Sequence, residues 1–479
     1  MPKIDEWAKE RYNKIVNPFF NRRNIMRKIV CMLLTAMMLV SLCVPALAEK
    51  MEPGMPLQEC HKVTSVKKDT TQKNKSVIRL WTLDTYDDSV DAELAALTQE
   101  YVDRLGPTLQ KAANTTSKNS RLEVEVRYSR TGLTWMSFLV QARTTYHRQL
   151  IGQEITSRTY DMTSGERIYL TDIFEADGEG WSILRNAVEA KVREYFPEEQ
   201  PDETVLAALL TDEGLRNLDF TLHGMSMVIH IPAGSLYAGK NTLIEVPLYY
   251  PDIRPHMAMK AVMETDNLSY YKTVALTFDD GPNRTNTTVM LNNLLEMGTR
   301  ATFFVLGNRI KDNADLVQRE HDEGHAVASH NYAHGDVSKM SGTAIRSQKT
   351  KFDAACLPVL GISARFARVP YGLYPQMIKA KGGMPLIQWS VDTYDWREER
   401  SNATILKNVK KQFTDGDIVL MHDIKDRTPK LAKALIEWLQ EEGYMILTID
   451  ELFAKDGVVL QEDVVYFRCE DGVTTIKQR

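Results

Sequence analysis

Cysteine is scarce, with five in 479 residues. Cys31 and Cys43 fall in an N-terminal apolar segment. The other three, Cys60, Cys356 and Cys469, are an odd number without metal-type spacing, so neither a disulfide framework nor a thiolate metal site is expected. Low-complexity tracts are missing too, which argues against extended disorder. Nor is there a basic surplus: 59 Lys and Arg stand against 64 Asp and Glu for a formal net charge of −5, and nothing points to nucleic acid as a partner. What is present is the composition of a soluble globular protein, 43% hydrophobic and 26% charged. A chain of 479 residues is too long for one ordinary domain and implies two or three.

The N-terminus has its own pattern. Arg22, Arg23, Arg27 and Lys28 precede the uncharged stretch Ile29 to Val44, which ends in Pro45-Ala46-Leu47-Ala48. Basic, apolar, then small residues is the order of a signal peptide over residues 1–48. Largely polar residues precede it, and Met26 would make a natural start. The alternative is a retained membrane tether through residues 29–48, 20 uncharged residues that almost suffice to span a bilayer. Lipidation of Cys43 is set aside because Leu42 before it is bulkier than the small residue such a signal carries. Either way the rest of the chain is expected outside the cell. Loss of residues 1–48 removes eight Lys or Arg and three Asp or Glu, taking the formal net charge from −5 to about −10.

Residues 49–75 are polar and unpatterned, as in a mobile spacer. From 76 to 250, helical and strand signals mix without alternation. Asp91 to Leu109 has helical spacing, Leu122 to Tyr128 alternates at period two, and Leu133 to Tyr146 and Gln153 to Tyr160 suggest further strands, together an α+β domain. Residues 251–271, with Pro251 and Pro255, suggest a linker. After Lys272 short apolar runs alternate with helical segments. Strand candidates are Thr273–Phe278, Ala301–Leu306, His325–Ser329, Ala364–Val369, Leu386–Val391, Asp417–Met421 and Tyr444–Thr448. Repeated β-then-α units predict an α/β fold with a parallel sheet closed into a distorted (β/α) barrel of seven or eight strands, over residues 272–479 with a C-terminal tail.

In such a barrel the chemistry sits at the C-terminal ends of strands. Asp279 and Asp280 end the first strand, His330 and His334 follow the third, Arg368 and Tyr371 flank the fourth, Asp392 and Asp395 follow the fifth, and His422 follows the sixth. Two imidazoles four residues apart are a weak metal signal alone; joined to a carboxylate from Asp280 they make a three-ligand site with an open position, the form of a catalytic metal centre.

These residues resemble the polysaccharide deacetylases of carbohydrate esterase family 4, the NodB-homology domain. Five motifs from Lys272 to Phe453 carry the resemblance: Thr277-Phe278-Asp279-Asp280-Gly281-Pro282, His330 to His334, Arg368-Val369-Pro370-Tyr371-Gly372, Asp392-Thr393-Tyr394-Asp395-Trp396, and Leu420-Met421-His422. The resemblance implies that Asp280, His330 and His334 bind one divalent metal and that Asp279 is the general base. A carboxylate engaged by a metal has its lone pairs occupied, which leaves its neighbour free to take a proton. It further implies that the backbone N–H of Tyr371 helps hold the oxyanion, that His422 is the general acid with Asp395 favouring its charged form, and that Trp396 and Leu420 wall the acetyl methyl group. Arg368 or Arg300 would pair with Asp279. An Asp-His-His set accepts Zn, Co, Ni or Mn, with zinc the default. One position departs from the family: Asn331 stands where Ser or Thr is usual, so altered loop geometry with retained metal binding is expected. Asp392 could instead cap a helix. His321 and His325 are expected to be structural or exposed.

Residues 76–250 resemble, more weakly, the region that precedes the catalytic domain in some peptidoglycan deacetylases of the PdaC type, related to the lysozyme-sensing part of an anti-sigma factor. Tyr160 to Glu166, Leu170 to Phe174, Ile231-Pro232, Tyr237 to Gly239 and Val246-Pro247 carry it. No reactive cluster lies there, which leaves polymer binding, a protein partner or spacing as roles. The resemblances imply a cell-wall-associated hydrolase of N-acetyl groups on peptidoglycan, at N-acetylglucosamine or N-acetylmuramic acid. Alternatives are a deacetylase of chitooligosaccharide or acetyl-xylan, and a catalytically silent wall-binding or sensor protein. No signal for an oligomeric state is legible.

Overall fold

The structure, a computed structural model, describes residues 64–71, 76–85, 87–113, 120–132, 134–175, 178–269, 271–470 and 473–474. The predicted export segment and Cys60 lie outside the described residues. No helix among them is long and apolar enough to cross a membrane.

The first half opens with six strands in chain order, β1 (Thr64–Thr71), β2 (Val77–Asp84), β3 (Ser120–Thr131), β4 (Trp135–Tyr146), β5 (Gln149–Asp161) and β6 (Glu166–Ile168). All neighbours are antiparallel except β2 and β3. A parallel pair needs a crossover, and helix α1 (Asp88–Ala113) supplies it. Its Val90, Leu94 and Tyr101 pack on Leu122, Val124 and Val126 of β3, the inward set of the predicted alternation. Strand β1 corrects the spacer expected there. Its residues 67–71 are exposed on a sheet edge, so it carries no apolar alternation by which sequence could announce it. A second sheet joins β7 (Asp219–Leu222), β8 (Ser226–Pro232) and β9 (Leu243–Tyr249). Helix α2 (Gly180–Glu194) buries Leu184, Val188 and Val192, one stripe at helical spacing, in the same core as Ile229, Ile231 and Ile244. In place of the linker expected over 251–271, residues 251–269 are folded, with the helix Met259–Glu264 and short 3₁₀ turns on either side.

The second half is a distorted parallel barrel. Strands β10 (Lys272–Asp279), β11 (Thr302–Val305), β12 (Ala326–Ser329), β15 (Asp417–His422) and β16 (Tyr444–Leu447) fall where predicted. The fifth predicted strand is split into β13 (Leu386–Ile387) and β14 (Val391–Asp392), and the fourth is reduced to bridges at Ala367. These irregular members still close the ring: β12 bridges Ala367, Ala367 bridges Leu386, and β14 pairs with β15, which returns to β10.

Alternation gives the barrel two cores. Outward residues Leu276, Phe278, Phe303 and Val419 pack under helices α3 (Asn286–Glu296), α4 (Ala314–Asp322), α5 (Gly342–Leu360) and α6 (Thr428–Glu441). Inward residues Ala275, Phe304, Ala328 and Ile418 fill the interior. Above them on the same inward face come Thr277 opposite Leu420 and Asp279 opposite His422. The first half rests on the opposite end, against segments that lead into strands and the helix Ile449–Ala454 that follows β16. Arg143 pairs with Glu323 at 2.9 Å, Tyr195 Oη lies 2.9 Å from His321 Nε2, Ser226 Oγ donates to Glu451 at 2.7 Å, and Phe196 N–H donates to the Gly361 carbonyl at 2.6 Å.

Candidate active site

The strand ends bring the predicted residues to one mouth. Asp280 leaves β10 in the left-handed region, φ 74°, which breaks the strand alternation after Asp279. Its Oδ1 lies 3.4 Å from His330 Nε2 and 3.2 Å from His334 Nε2, and the Oδ1 is buried without a hydrogen-bond partner. His330 Nδ1 lies 2.7 Å from the Arg368 carbonyl, which can only accept, so Nδ1 carries a proton and Nε2 is the ring atom left to ligate, as a lone pair in the neutral tautomer. Burial lowers the pKa of His334 and favours its neutral, ligating form, although Asp280 opposes this. Two acceptors facing each other repel unless a cation lies between them. Tetrahedral coordination at ~2.0–2.1 Å places ligand atoms ~3.4 Å apart, close to the separations found. Asp280, His330 and His334 are also the one group of three or more potential metal ligands among the described residues, their ligand atoms lying within 4.8 Å of one another. The residues fit a divalent ion.

Asp279 sits beside this group, its Oδ2 3.9 Å from His330 Nε2. Its Oδ1 accepts from Arg368 Nη1 at 2.8 Å. Arg368 is fully buried and held at every nitrogen: Nη1 also donates to Thr277 Oγ1 at 2.7 Å, Nε to the Ile387 carbonyl at 3.1 Å and Nη2 to the Gln388 carbonyl at 2.9 Å. A buried guanidinium needs such saturation and a counter-charge, and Asp279 provides the charge. Of the two arginines that sequence left open, Arg368 is the partner; Arg300 pairs with Glu451 at the other end.

On the far side, His422 Nδ1 lies 2.8 Å from Asp395 Oδ1, while Asp395 Oδ2 accepts from the His422 N–H at 2.7 Å and from Thr428 Oγ1 at 2.6 Å. Burial disfavours a charged imidazole here, but the hydrogen bond and charge of Asp395 outweigh it and raise the His422 pKa to about 9. Tyr371 adopts φ 59° and is 66% exposed, its ring 4.5 Å edge-on to His334. Trp396 is 41% exposed at the rim and Leu420 is buried on the inward face. Asp392 caps no helix: its Oδ1 accepts the Tyr394 N–H at 2.7 Å and tightens that turn. Asn331 takes φ 63°, a conformation Asn tolerates better than most residues, and is buried. His321 and His325 are both buried at the opposite end; His325 Nδ1 accepts the Ala301 N–H at 3.2 Å.

Sequence reading missed the supports. Thr277 and Thr428 hold Arg368 and Asp395, and Gln348 Oε1 accepts from the Tyr332 and Ala333 N–H groups at 3.2 and 3.3 Å, fixing the loop between the two histidines. No pattern distinguishes such residues from any other buried polar side chain.

Residues 269–382 match the family model "Polysaccharide deacetylase". The chain is 39% identical over 211 residues to the peptidoglycan-N-acetylglucosamine deacetylase PgdA of Listeria monocytogenes, covering 44% of this chain and 44% of that protein. It is 32% identical over 181 residues to the peptidoglycan-N-acetylmuramic acid deacetylase PdaC of Bacillus subtilis, covering 38% of each. The chain thus spans less than half the length of these two relatives. Against a chitooligosaccharide deacetylase of Bradyrhizobium sp. it is 31% identical over 207 residues, 39% of this chain and 93% of that protein. With nearly all of that relative covered, and with the aspartate pair, the histidine pair and the aspartate–histidine pair at one barrel mouth, the chain belongs to the polysaccharide deacetylase family.

Proposed function

We propose that the chain is an extracellular hydrolase that removes N-acetyl groups from peptidoglycan. The observation that supports the reading is that the Asp279 carboxylate and the His422 imidazole, each held by its own partner, are cross-strand neighbours beside the Asp280, His330 and His334 group. A zinc ion held by Asp280, His330 and His334 would polarise the acetyl carbonyl and activate water. Asp279, aimed by Arg368, takes the proton of the attacking water. The backbone N–H of Tyr371 donates to the oxygen that gains charge. His422, kept charged by Asp395, gives its proton to the departing sugar nitrogen, so the C–N bond breaks to a free amine and acetate. Trp396 and Leu420 enclose the methyl group.

The relatives named for peptidoglycan, PgdA and PdaC, support the wall polymer as substrate, and the predicted signal over 1–48 supports its location. Residues 76–250 act as an accessory domain that braces the barrel's closed end. The test is acetate release from purified peptidoglycan and from chitooligosaccharides, before and after chelation and with zinc restored. Metal-dependent release from peptidoglycan supports the reading. Release from chitooligosaccharide alone moves the substrate to free amino-sugar oligomers, and no release from either overturns it.

A further inference from the structure

Beneath the loop that carries Asp280 lies a carboxylate the reaction does not use. Asp423 follows the acid His422, is fully buried, and accepts a hydrogen bond from the hydroxyl of Thr287. That hydroxyl itself accepts the Asn283 N–H at 2.7 Å, so its single proton is directed to Asp423. The carboxylate also sits against the backbone of Gly281. A Cβ there would lie 2.3 and 2.5 Å from its two oxygens, so any side chain at 281 would displace it. The Gly281 carbonyl, in turn, accepts the Leu306 N–H at 2.9 Å. The turn that puts Asp280 at φ 74° is thus held from below through Asn283, Thr287 and Asp423.

We infer that Asp423 and Thr287 are positioning residues that fix the Asp280 loop for metal binding and couple it to the segment bearing His422. The inference rests on the proposed metal-dependent reading. Partners that orient a ligand from behind contribute to affinity because an unheld ligand must be ordered when the ion binds.

The test is zinc affinity of the full chain by competition with a chromophoric chelator, alongside acetate release at saturating zinc. Thr287→Val keeps the shape of the side chain and removes the hydroxyl; Asp423→Ala removes the acceptor. Each is expected to weaken zinc binding by about tenfold or more, the double variant by no more than the weaker-binding single, and Asp423→Asn, which retains an acceptor oxygen, by no more than about threefold. Should Asp423→Ala fail to fold, Thr287→Val carries the test alone. Wild-type affinity within about twofold in the Thr287→Val chain, with wild-type acetate release, overturns the inference. A wild-type chain that binds zinc but releases no acetate overturns the proposed reaction and leaves the positioning role to be judged by affinity.

Discussion

Asp280 and Asp322 mark opposite ends of the same barrel, and their surroundings differ in kind. Asp322, at the closed end, is fully buried, and its two oxygens accept from Thr242 Oγ1, the Leu243 N–H and Gln153 Nε2 at 2.8, 3.0 and 3.0 Å, with His321 Nδ1 at 2.9 Å. Folding alone satisfies it. Asp280, at the open end, faces two imidazole nitrogens that are both free to ligate, and its buried Oδ1 makes no hydrogen bond of good geometry. Such an arrangement suits a cation, not a core. Buried charge in one domain can therefore serve assembly or chemistry, and what separates the two is whether the protein supplies the complementary groups itself.

The contrast can be broken first at the closed end. Arg143 bridges Glu125 and Glu323, both at 2.9 Å, and all three are buried. Arg143→Ala would leave buried Glu125 with only Arg127, 4.0 Å away, and Glu323 with Arg319 alone, and a loss of about 3 kcal/mol is expected in denaturant unfolding, with acetate release per folded molecule unchanged. A parallel loss of specific activity would mean that the two ends are not independent. At the open end, zinc at a hundred times its dissociation constant should stabilise the wild-type chain by about 2.7 kcal/mol. Thermal melts of Asp280→Ala should show no such gain.

The smallest effect is in pH. His422, raised to about 9 by Asp395, is charged through neutral pH, so kcat/KM should fall along an alkaline limb near that value. Asp395→Asn should move the limb down toward the ordinary histidine range. The sign for stability is that of a raised histidine: the pairing contributes fully below the unfolded pKa of about 6.5 and is lost as pH rises through 9. An unmoved limb in Asp395→Asn would assign it to another group.

Much of the open end was legible in sequence because its residues lie next to strand ends, where a one-dimensional pattern coincides with a three-dimensional place. Asp279, Asp280, His330, His334, Arg368, Asp395 and His422 are all found at one mouth for that reason. The closed end was not legible. Arg143 and Glu323 are 180 residues apart, and each reads alone as an ordinary surface charge. The choice between Arg368 and Arg300 was hidden for the same reason, since only the folded ring shows which of them crosses the barrel. Strand β1 lacks the apolar periodicity on which strand reading depends, and the apolar run Leu386–Val391, read as one strand, carries no sign of its split into β13 and β14.

The central claim is a division of labour between two adjacent aspartates, Asp280 to hold metal and Asp279 to move a proton. Bound zinc and acetate release from peptidoglycan, measured together on Asp279→Asn, test it most directly. The account predicts one zinc per chain, as in the wild type, with acetate release reduced by about 10²–10⁴-fold. Wild-type release from Asp279→Asn, or loss of the zinc with the base, would contradict it.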